Sequence, residues 1–593
     1  MLGTGDWEKP KQALLPPDPY FERLTPHSSR YRIGLVQDDV KRPWARIVRW
    51  AVWVGMVACA MALLGPLVRF VDTSSAWLNY PYPRPGSEGL ILYESLLVKR
   101  GGDPYAPITP EQFISGPYPP IYYWLAAATL PQDLPDWSDP DNVTSVFQPG
   151  RTISLLAALL AAALLPILIL ADGGYATMGQ RSVLFAGASG VLGGALFLSL
   201  PQVLVWATRF RGDMLTIALT AAGLVCIALG GKGSGVSRAA GITAATTPEQ
   251  HRTPGPWSLI PDPWLLLGAC LFALAFYTKQ TALAGPGAAA LYLMLRDWRS
   301  GLRWCGVMAL AVIVPFVALD VATGHWFYLK MVDYHSLPLS RLTLTRLLEF
   351  AFWEDQWPLI LAAVGYGLIR LWEALSARRE TRVAGAPSLI ALFILAAFAT
   401  LPTGAVVGAD HNHLLMSGLA ISAGTGGLLA WALVRLESGR GNLLARGVAP
   451  IALLLVLIHA TMTSAPSSWY GPDLGIPGAA EQEQLRKIVL NVRQNPGSVF
   501  FADDPGILAL AGKETHYDDP FTMTALAQQG RWDESAYVRM LREGKFGLLV
   551  LSCDVINRPD LCRADTLPPG VKDAIRDGYQ LLFRDIFFTY APK

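Results

Sequence analysis

Charge is scarce in this chain. Asp, Glu, Lys and Arg make up 16% of its 593 residues, where a soluble globular chain carries about 25%. Its 48 Lys and Arg nearly balance its 46 Asp and Glu, and the net charge is only +2. No basic excess points to a nucleic-acid partner, and none is expected. A cleavable signal peptide is not expected either: the first 45 residues are polar and basic, and the first long apolar run comes too late and is too long for a leader. The C-terminal region has no Gly-rich phosphate loop, and the chain has no internal repeat. What is abundant is apolar: 52% of the residues are hydrophobic and mean hydropathy is positive. The 19 tryptophans suit a protein whose aromatic rings anchor helices at membrane interfaces.

A bilayer-crossing helix takes roughly 20 mostly apolar residues. Such runs fall at 50–71, 152–171, 183–201, 213–230, 262–278, 281–295, 304–321, 357–375, 387–402, 413–434 and 447–464, about eleven spans. The apolar stretch 118–130 is short and proline-led, which fits a re-entrant or interfacial helix. Lys and Arg near the span ends set orientation. The tail 1–49 carries Lys9, Lys11, Arg23, Arg30, Arg32, Lys41, Arg42, Arg46 and Arg49. With that tail in the cytoplasm, the loops holding Lys232, Arg238 and Arg252, then Arg296, Arg299 and Arg303, then Arg378, Arg379 and Arg382, then Arg435, Arg440 and Arg446 all fall on the same side. Residues 466–593 then lie outside. The expected organisation is a cytoplasmic tail 1–49, a transmembrane bundle 50–465 with a large first outer loop 72–151, and an extracytoplasmic domain 466–593.

That C-terminal domain alternates strand patterns (499–502, 546–551, 581–590) with helical ones (479–492, 534–542, 571–577), which predicts a small α/β module. Cys59, Cys226, Cys270 and Cys305 lie in apolar spans, where a thiol acts as a small hydrophobe. Cys553 and Cys562 flank a short polar loop and would pair in an oxidising compartment; two unlinked thiols are the alternative. Residues 231–261 are rich in Gly, Ser, Thr and Pro and read as a disordered cytoplasmic loop.

The first outer loop is about eighty residues long, far beyond a simple connection. Ser87-Glu88-Gly89 opens an amphipathic run through Lys99, ended by Gly101-Gly102-Asp103-Pro104-Tyr105 and followed by Gly116-Pro117-Tyr118-Pro119-Pro120-Ile121-Tyr122-Tyr123-Trp124. Helices lying along the membrane surface would produce that pattern. Further polar motifs follow at the outer ends of spans: Arg151-Thr152-Ile153-Ser154, Arg209-Phe210-Arg211-Gly212-Asp213, Tyr277-Thr278-Lys279-Gln280, Gly324-His325-Trp326-Phe327 and Gly408-Ala409-Asp410-His411-Asn412-His413. Taken in order, over roughly residues 45–435, these motifs resemble those of the GT-C membrane glycosyltransferases, in the branch of the protein O-mannosyltransferases and the lipid A aminoarabinose transferase.

The resemblance implies transfer of a sugar from a polyprenyl-phosphate donor to a lipid, glycan or protein acceptor, on the outer face of the plasma membrane and with inversion. It implies no cofactor, with a divalent metal as a minor alternative. Such a reaction needs a general base for the acceptor hydroxyl and cations for the departing phosphate. The family's loop usually carries Asp-Glu, with the Asp taken as catalytic; here the pair is Ser87-Glu88. Glu88 and Asp213 are therefore the catalytic candidates, with Asp72 and Glu94 in reserve. Lys279, Arg209, Arg211, Tyr118, Lys99 and His411 are the substrate-binding candidates.

Each has a plainer reading. Glu88 suits a helix N-terminus, Asp213 can pair with Arg209 or Arg211, Lys279 can snorkel to the interface, and Lys99 and Arg100 read as surface charges. His411 and His413 with Asp410 are metal-ligand types, but their spacing is no recognised metal signature. A transporter would place ionisable groups mid-bilayer, whereas here they gather at one face. A non-catalytic scaffold remains the other alternative, because of Ser87.

Overall fold

The structure is a computed structural model. It describes residues 32–84, 88–131, 145–230, 262–377, 388–406, 409–437, 443–464, 475–476, 478–501, 505–562 and 567–593. Ser87, the loop 231–261, Arg378, Arg379, Arg382, Arg440 and most of the N-terminal tail lie outside the described residues. The chain divides into two units, Met1–Trp53 and Val54–Lys593. Within the first, the described part is the N-terminal portion of the helix Arg32–Asn79; all that follows concerns the second.

Eight helices among the described residues are long and apolar enough to cross a membrane: Trp50–Asn79, Gln148–Gly173, Gln180–Ser199, Asp213–Gly230, Trp298–Ala322, Arg341–Ser376, His411–Glu437 and Leu444–Thr463. The remaining three expected spans are shorter helices, Pro263–Thr278 and Leu389–Ala405 and Ala284–Arg296. The chain is thus a multi-pass membrane protein built as a helical bundle. Small residues set its closest contacts, as they do where lipid supplies no hydrophobic drive between helices. A Cβ on Gly190 would stand 2.4 Å from Pro166 Cα, and one on Gly194 would stand 2.6 Å from Ala162 O. The outward stripes are apolar instead: Leu156, Leu160 and Ile167 on one helix, and Leu310, Ile313, Val314, Val317 and Val321 on another, are exposed.

At one end of the bundle, here the loop face, the first loop forms the helices Glu88–Lys99 and Pro120–Thr129, the latter opening with proline in its first turn, where the missing N–H costs nothing. The first helix has the expected bounds, but it is no surface helix: every residue from Glu88 to Leu96 is buried. Glu88 and Ser95 on it bond to protein partners, a distinction that amphipathic spacing does not encode.

The C-terminal domain covers this helix. Its sheet has the order β1-β2-β4-β3, with β1 Ser498–Phe501 parallel to β2 Phe546–Leu551, β2 antiparallel to β4 Phe588–Pro592, and β4 antiparallel to β3 Tyr579–Arg584. The run expected as one strand, 581–590, is a hairpin, turned where Asp585 N donates to Phe587 O. Helices Ala479–Gln494, Ser535–Arg542 and Pro569–Gly578 stand close to where their patterns predicted, and Pro520–Gln528 adds one that was not expected.

Phe113, from the bundle's first loop, is fully buried in this domain's core beside Phe500, Tyr517 and Tyr537. Its N–H donates to His516 O at 2.7 Å, and its carbonyl accepts from Asp518 N at 3.2 Å. Cys553 and Cys562 are bonded to each other. Closing so short a loop is expected to contribute about 2–3 kcal/mol by restricting the unfolded chain. The double Cys→Ser variant should show that loss as a lower unfolding midpoint of the C-terminal domain, with the bundle's transition unmoved.

Candidate functional site

The motifs of the loop face build two adjoining polar centres. In the first, Glu88 and Arg151 form an ion pair at 2.6 Å with both side chains wholly buried. Glu88 Oε1 accepts from Arg151 Nε at 2.8 Å and from Phe210 N at 2.7 Å. Its Oε2 accepts from Arg151 Nη2 at 2.6 Å and from Arg84 N at 2.7 Å. Arg151 spends its other N–H groups on the carbonyls of Trp77, Tyr80 and Tyr82. Burial by itself would raise the Glu88 carboxyl, but the Arg151 charge, its hydrogen bonds and the Arg84 amide hold it below the usual range.

A general base needs an oxygen facing the acceptor's proton. Glu88 offers none, since both oxygens are already doubly engaged and enclosed. In this geometry Glu88, expected as the catalytic base, is the counter-ion of a buried knot joining the first span, the first-loop helix, the second span and the 209–213 turn. Ser154 of the same Arg-x-x-Ser motif completes that joint, donating toward Arg209 O at 2.6 Å and Arg211 O at 2.9 Å.

The second centre begins where that turn ends. Asp213 opens the helix Asp213–Gly230, where the macrodipole favours an acidic residue. Lys279, at the C-cap of the Pro263–Thr278 helix, pairs with Asp213 Oδ1, and Asn412 Nδ2 donates to the same oxygen at 3.0 Å. Arg211 Nε reaches Asp213 Oδ2 at 3.2 Å, and Arg211 Nη2 donates to the Tyr118 hydroxyl. The Tyr118 ring lies 5.1 Å from the Arg211 guanidinium and 5.9 Å from Lys279 Nζ.

Two recesses meet at the Asp213–Lys279 pair. One is lined by Ile91, Tyr118, Tyr122, Tyr123, Gly212 and Thr278; the other includes Thr400, Thr403, Asn412, His413 and Met416. Two cations and one carboxylate leave this centre net positive, which suits an anionic group. Among the described residues, Asp213 is the only acidic one lining either recess.

The structure thus brings together Asp213, Lys279, Arg211 and Tyr118 and leaves the other candidates aside. Glu88 lines neither recess. Lys99 Nζ donates to Leu130 O at 2.8 Å and Ala127 O at 3.3 Å, so it caps the Pro120–Thr129 helix rather than binding at the site. Arg209 is buried with its guanidinium 4.6 Å from the Trp206 ring. His411 pairs with Asp410 and packs edge-on against Trp206. Asp72 is on an exposed flank of its helix. Glu94 is buried among other groups, described below.

No group of three or more His, Cys, Asp or Glu side chains gathers as a metal site among the described residues. Asn412 is the residue the sequence did not single out, and His413, expected only as a metal-ligand type, lines the second recess; their signal is the polar string 410–413 at the mouth of an apolar helix.

The segment that delivers Tyr118 is held tightly. Tyr105 Oη donates to Tyr118 O at 2.6 Å, and Gln280 Nε2 donates to Pro117 O at 3.1 Å. Gly116 adopts φ +51°, and a Cβ there would meet Pro104 O at 2.7 Å. Gly116→Ala is expected to cost about 1–3 kcal/mol, from the left-handed backbone and the clash together. A matched thermal unfolding series in detergent measures it.

Fold and site together define a class: a multi-pass helical membrane protein with a recessed, net-cationic polar cleft at its loop face and an α/β domain packed on its first loop. No family profile matches the chain, and no curated protein does. Among solved structures it is similar to ArnT from Cupriavidus metallidurans bound to undecaprenyl phosphate, with 14% identity and a TM-score of 0.45 over 88% of this chain and 97% of that one. It is also similar to the Archaeoglobus fulgidus oligosaccharyltransferase in the apo form, with 12% identity and a TM-score of 0.40 over 89% of this chain and 74% of that one. The same oligosaccharyltransferase in complex with Zn and sulfate gives 12% identity and a TM-score of 0.42, over 88% and 73%.

Proposed function

We propose that this protein is a membrane glycosyltransferase of the GT-C kind. In this reading it moves a sugar from a polyprenyl-phosphate donor to a lipid, glycan or protein acceptor at the non-cytoplasmic face of the plasma membrane. The observation that carries the reading is the Asp213–Lys279–Arg211 cluster, which joins one carboxylate to two cations at the boundary of the bundle. The ordered loop-face motifs support it. So does the gathering of Arg296, Arg299, Arg303 and Arg435 at the ends of helices leading away from the loop face, because basic residues favour the cytoplasmic side.

In this mechanism the acceptor oxygen attacks the anomeric carbon opposite the phosphate, and the glycosidic carbon–oxygen bond to phosphate breaks. The acceptor's proton passes to Asp213, and the lipid phosphate leaves toward Lys279 and Arg211. One displacement inverts the anomeric configuration. The cationic role falls to these two side chains, and no cofactor is invoked. The C-terminal domain, roofing the first loop, would help select the acceptor.

The experiment is a transfer assay on the purified full chain with polyprenyl-phosphate hexoses and pentoses and membrane extract, scoring the anomer formed. Inverted product from the wild type, lost in Asp213→Asn, is the expected result. No transfer from any donor would leave the non-catalytic scaffold, which Ser87 in place of the usual Asp favours, as the better reading.

A further inference from the structure

A third polar cluster, outside the cleft, lies where the C-terminal domain meets the first loop. Glu94, on the Glu88–Lys99 helix, and Asp518, in the C-terminal domain, are both buried. They grip neighbouring amides of one strip of chain. Ser115 N donates to both Asp518 oxygens, at 2.8 and 3.1 Å, and Gly116 N donates to Glu94 Oε1 at 2.7 Å. Two residues on is Tyr118, whose hydroxyl receives Arg211 in the cleft. Tyr123 Oη accepts from Tyr118 N at 3.3 Å.

The two carboxyl groups thus hold adjacent amides side by side, and Glu94 Oε2 is buried with no ordinary donor. Two ionised carboxylates cannot share such a space, but one proton between them turns repulsion into a hydrogen bond. The facing charges do not remove this need. Lys330, the nearby cation, gives its Nζ hydrogen bond to Pro104 O at 2.8 Å, and it also feels Asp103. Asp519 adds negative charge beside Asp518. Tyr93 donates to Thr515 O at 3.4 Å, and burial keeps Tyr93 and Tyr105 neutral by pushing both phenols up. Burial likewise pushes Glu94 up to about 7, and burial together with Glu94 pushes Asp518 well above the carboxylate range.

We propose that Glu94 and Asp518 hold one proton between them and form a positioning clamp, by which the C-terminal domain fixes strip 113–118 and so sets Tyr118 against the cleft. The clamp stands on the hydrogen-bond geometry; its effect on sugar transfer rests on the glycosyltransferase reading. Between pH 4.5 and about 7 the folded pair keeps a proton that the unfolded carboxyl releases. Stability from the clamp therefore falls as pH rises across that window. Once both carboxyls ionise, the strip is released.

The test is amide hydrogen exchange of peptides spanning 113–118 in the full-length protein in detergent, from pH 5 to 9, corrected for intrinsic exchange rates. Wild-type protection is expected to fall by about tenfold or more across this range, the effect of about 1.4 kcal/mol. Glu94→Gln and Asp518→Asn cannot ionise at the substituted position, so each should keep protection nearly constant with pH. Glu94→Ala should lose it throughout.

A flat wild-type profile, or an amide variant that tracks the wild type, overturns the clamp. In the transfer assay, kcat should fall over the same pH range in wild type but not in Glu94→Gln. Exchange behaving as expected without any transfer would retain the clamp and reject the glycosyltransferase reading. Transfer with flat exchange would do the reverse.

Discussion

Asp213→Asn is expected to lower transfer by about 10²–10⁴-fold, the usual cost of removing a general base, with donor binding retained. The amide keeps the shape and still accepts from Asn412 or Arg211 through its carbonyl, but it cannot take the acceptor's proton. Lys279→Ala should lower turnover and also weaken donor binding. It removes the ammonium group that pairs with Asp213, and a phosphate leaving group beside low-dielectric lipid needs a cation close by. The measurement is a paired determination of donor affinity and turnover in each variant. Equal turnover in wild type and Asp213→Asn would remove Asp213 from the chemistry and leave the cleft as a binding site only.

Arg151→Met should destabilise the folded bundle by about 3–5 kcal/mol, because it strands the wholly buried Glu88 carboxylate without its counter-ion. The effect should be large compared with any loop-face surface charge, since Arg151 also supplies donors to the carbonyls of Trp77, Tyr80 and Tyr82. Adding Glu88→Gln to Arg151→Met should recover part of the loss, because the remaining buried charge is then removed. Thermal unfolding of the two single variants and the double variant in one detergent gives the coupling directly. Strict additivity would mean that the two side chains do not act as a pair. Glu88→Gln alone should lower stability far more than it lowers the turnover of the protein that stays folded, the reverse of the pattern expected for Asp213→Asn.

The two carboxylates show where sequence reasoning stopped. Glu88 and Asp213 look alike along the chain: each begins a helix, and each stands near arginines in a loop-face motif. What separates them is that Asp213 lines two recesses and Glu88 lines neither, and the enclosure of Glu88 depends on Arg151 and Phe210 arriving from distant segments. Lys99 and Lys279 differ in the same way. Both end a helix, but one meets the carbonyls of a neighbouring helix and the other meets a carboxylate. The apolar and aromatic pattern over 581–590 predicts one strand, and only pairing decides that the chain turns there into a hairpin.

By itself the sequence determined that this is a membrane bundle of many helices with a separate α/β domain at its end. Both follow from local quantities, the length and apolarity of a run and its period, which hold wherever the run is packed. Tertiary structure alone decided which partners each polar residue meets. Glu88, Asp213 and Glu94 have the same carboxyl chemistry. Their roles differ only in the partners that reach each oxygen, an arginine, a lysine beside a recess, and a second carboxyl from a domain hundreds of residues away. Contacts between such distant segments leave no periodic mark in the chain, because they are set by the packing of whole helices rather than by the order of neighbouring residues.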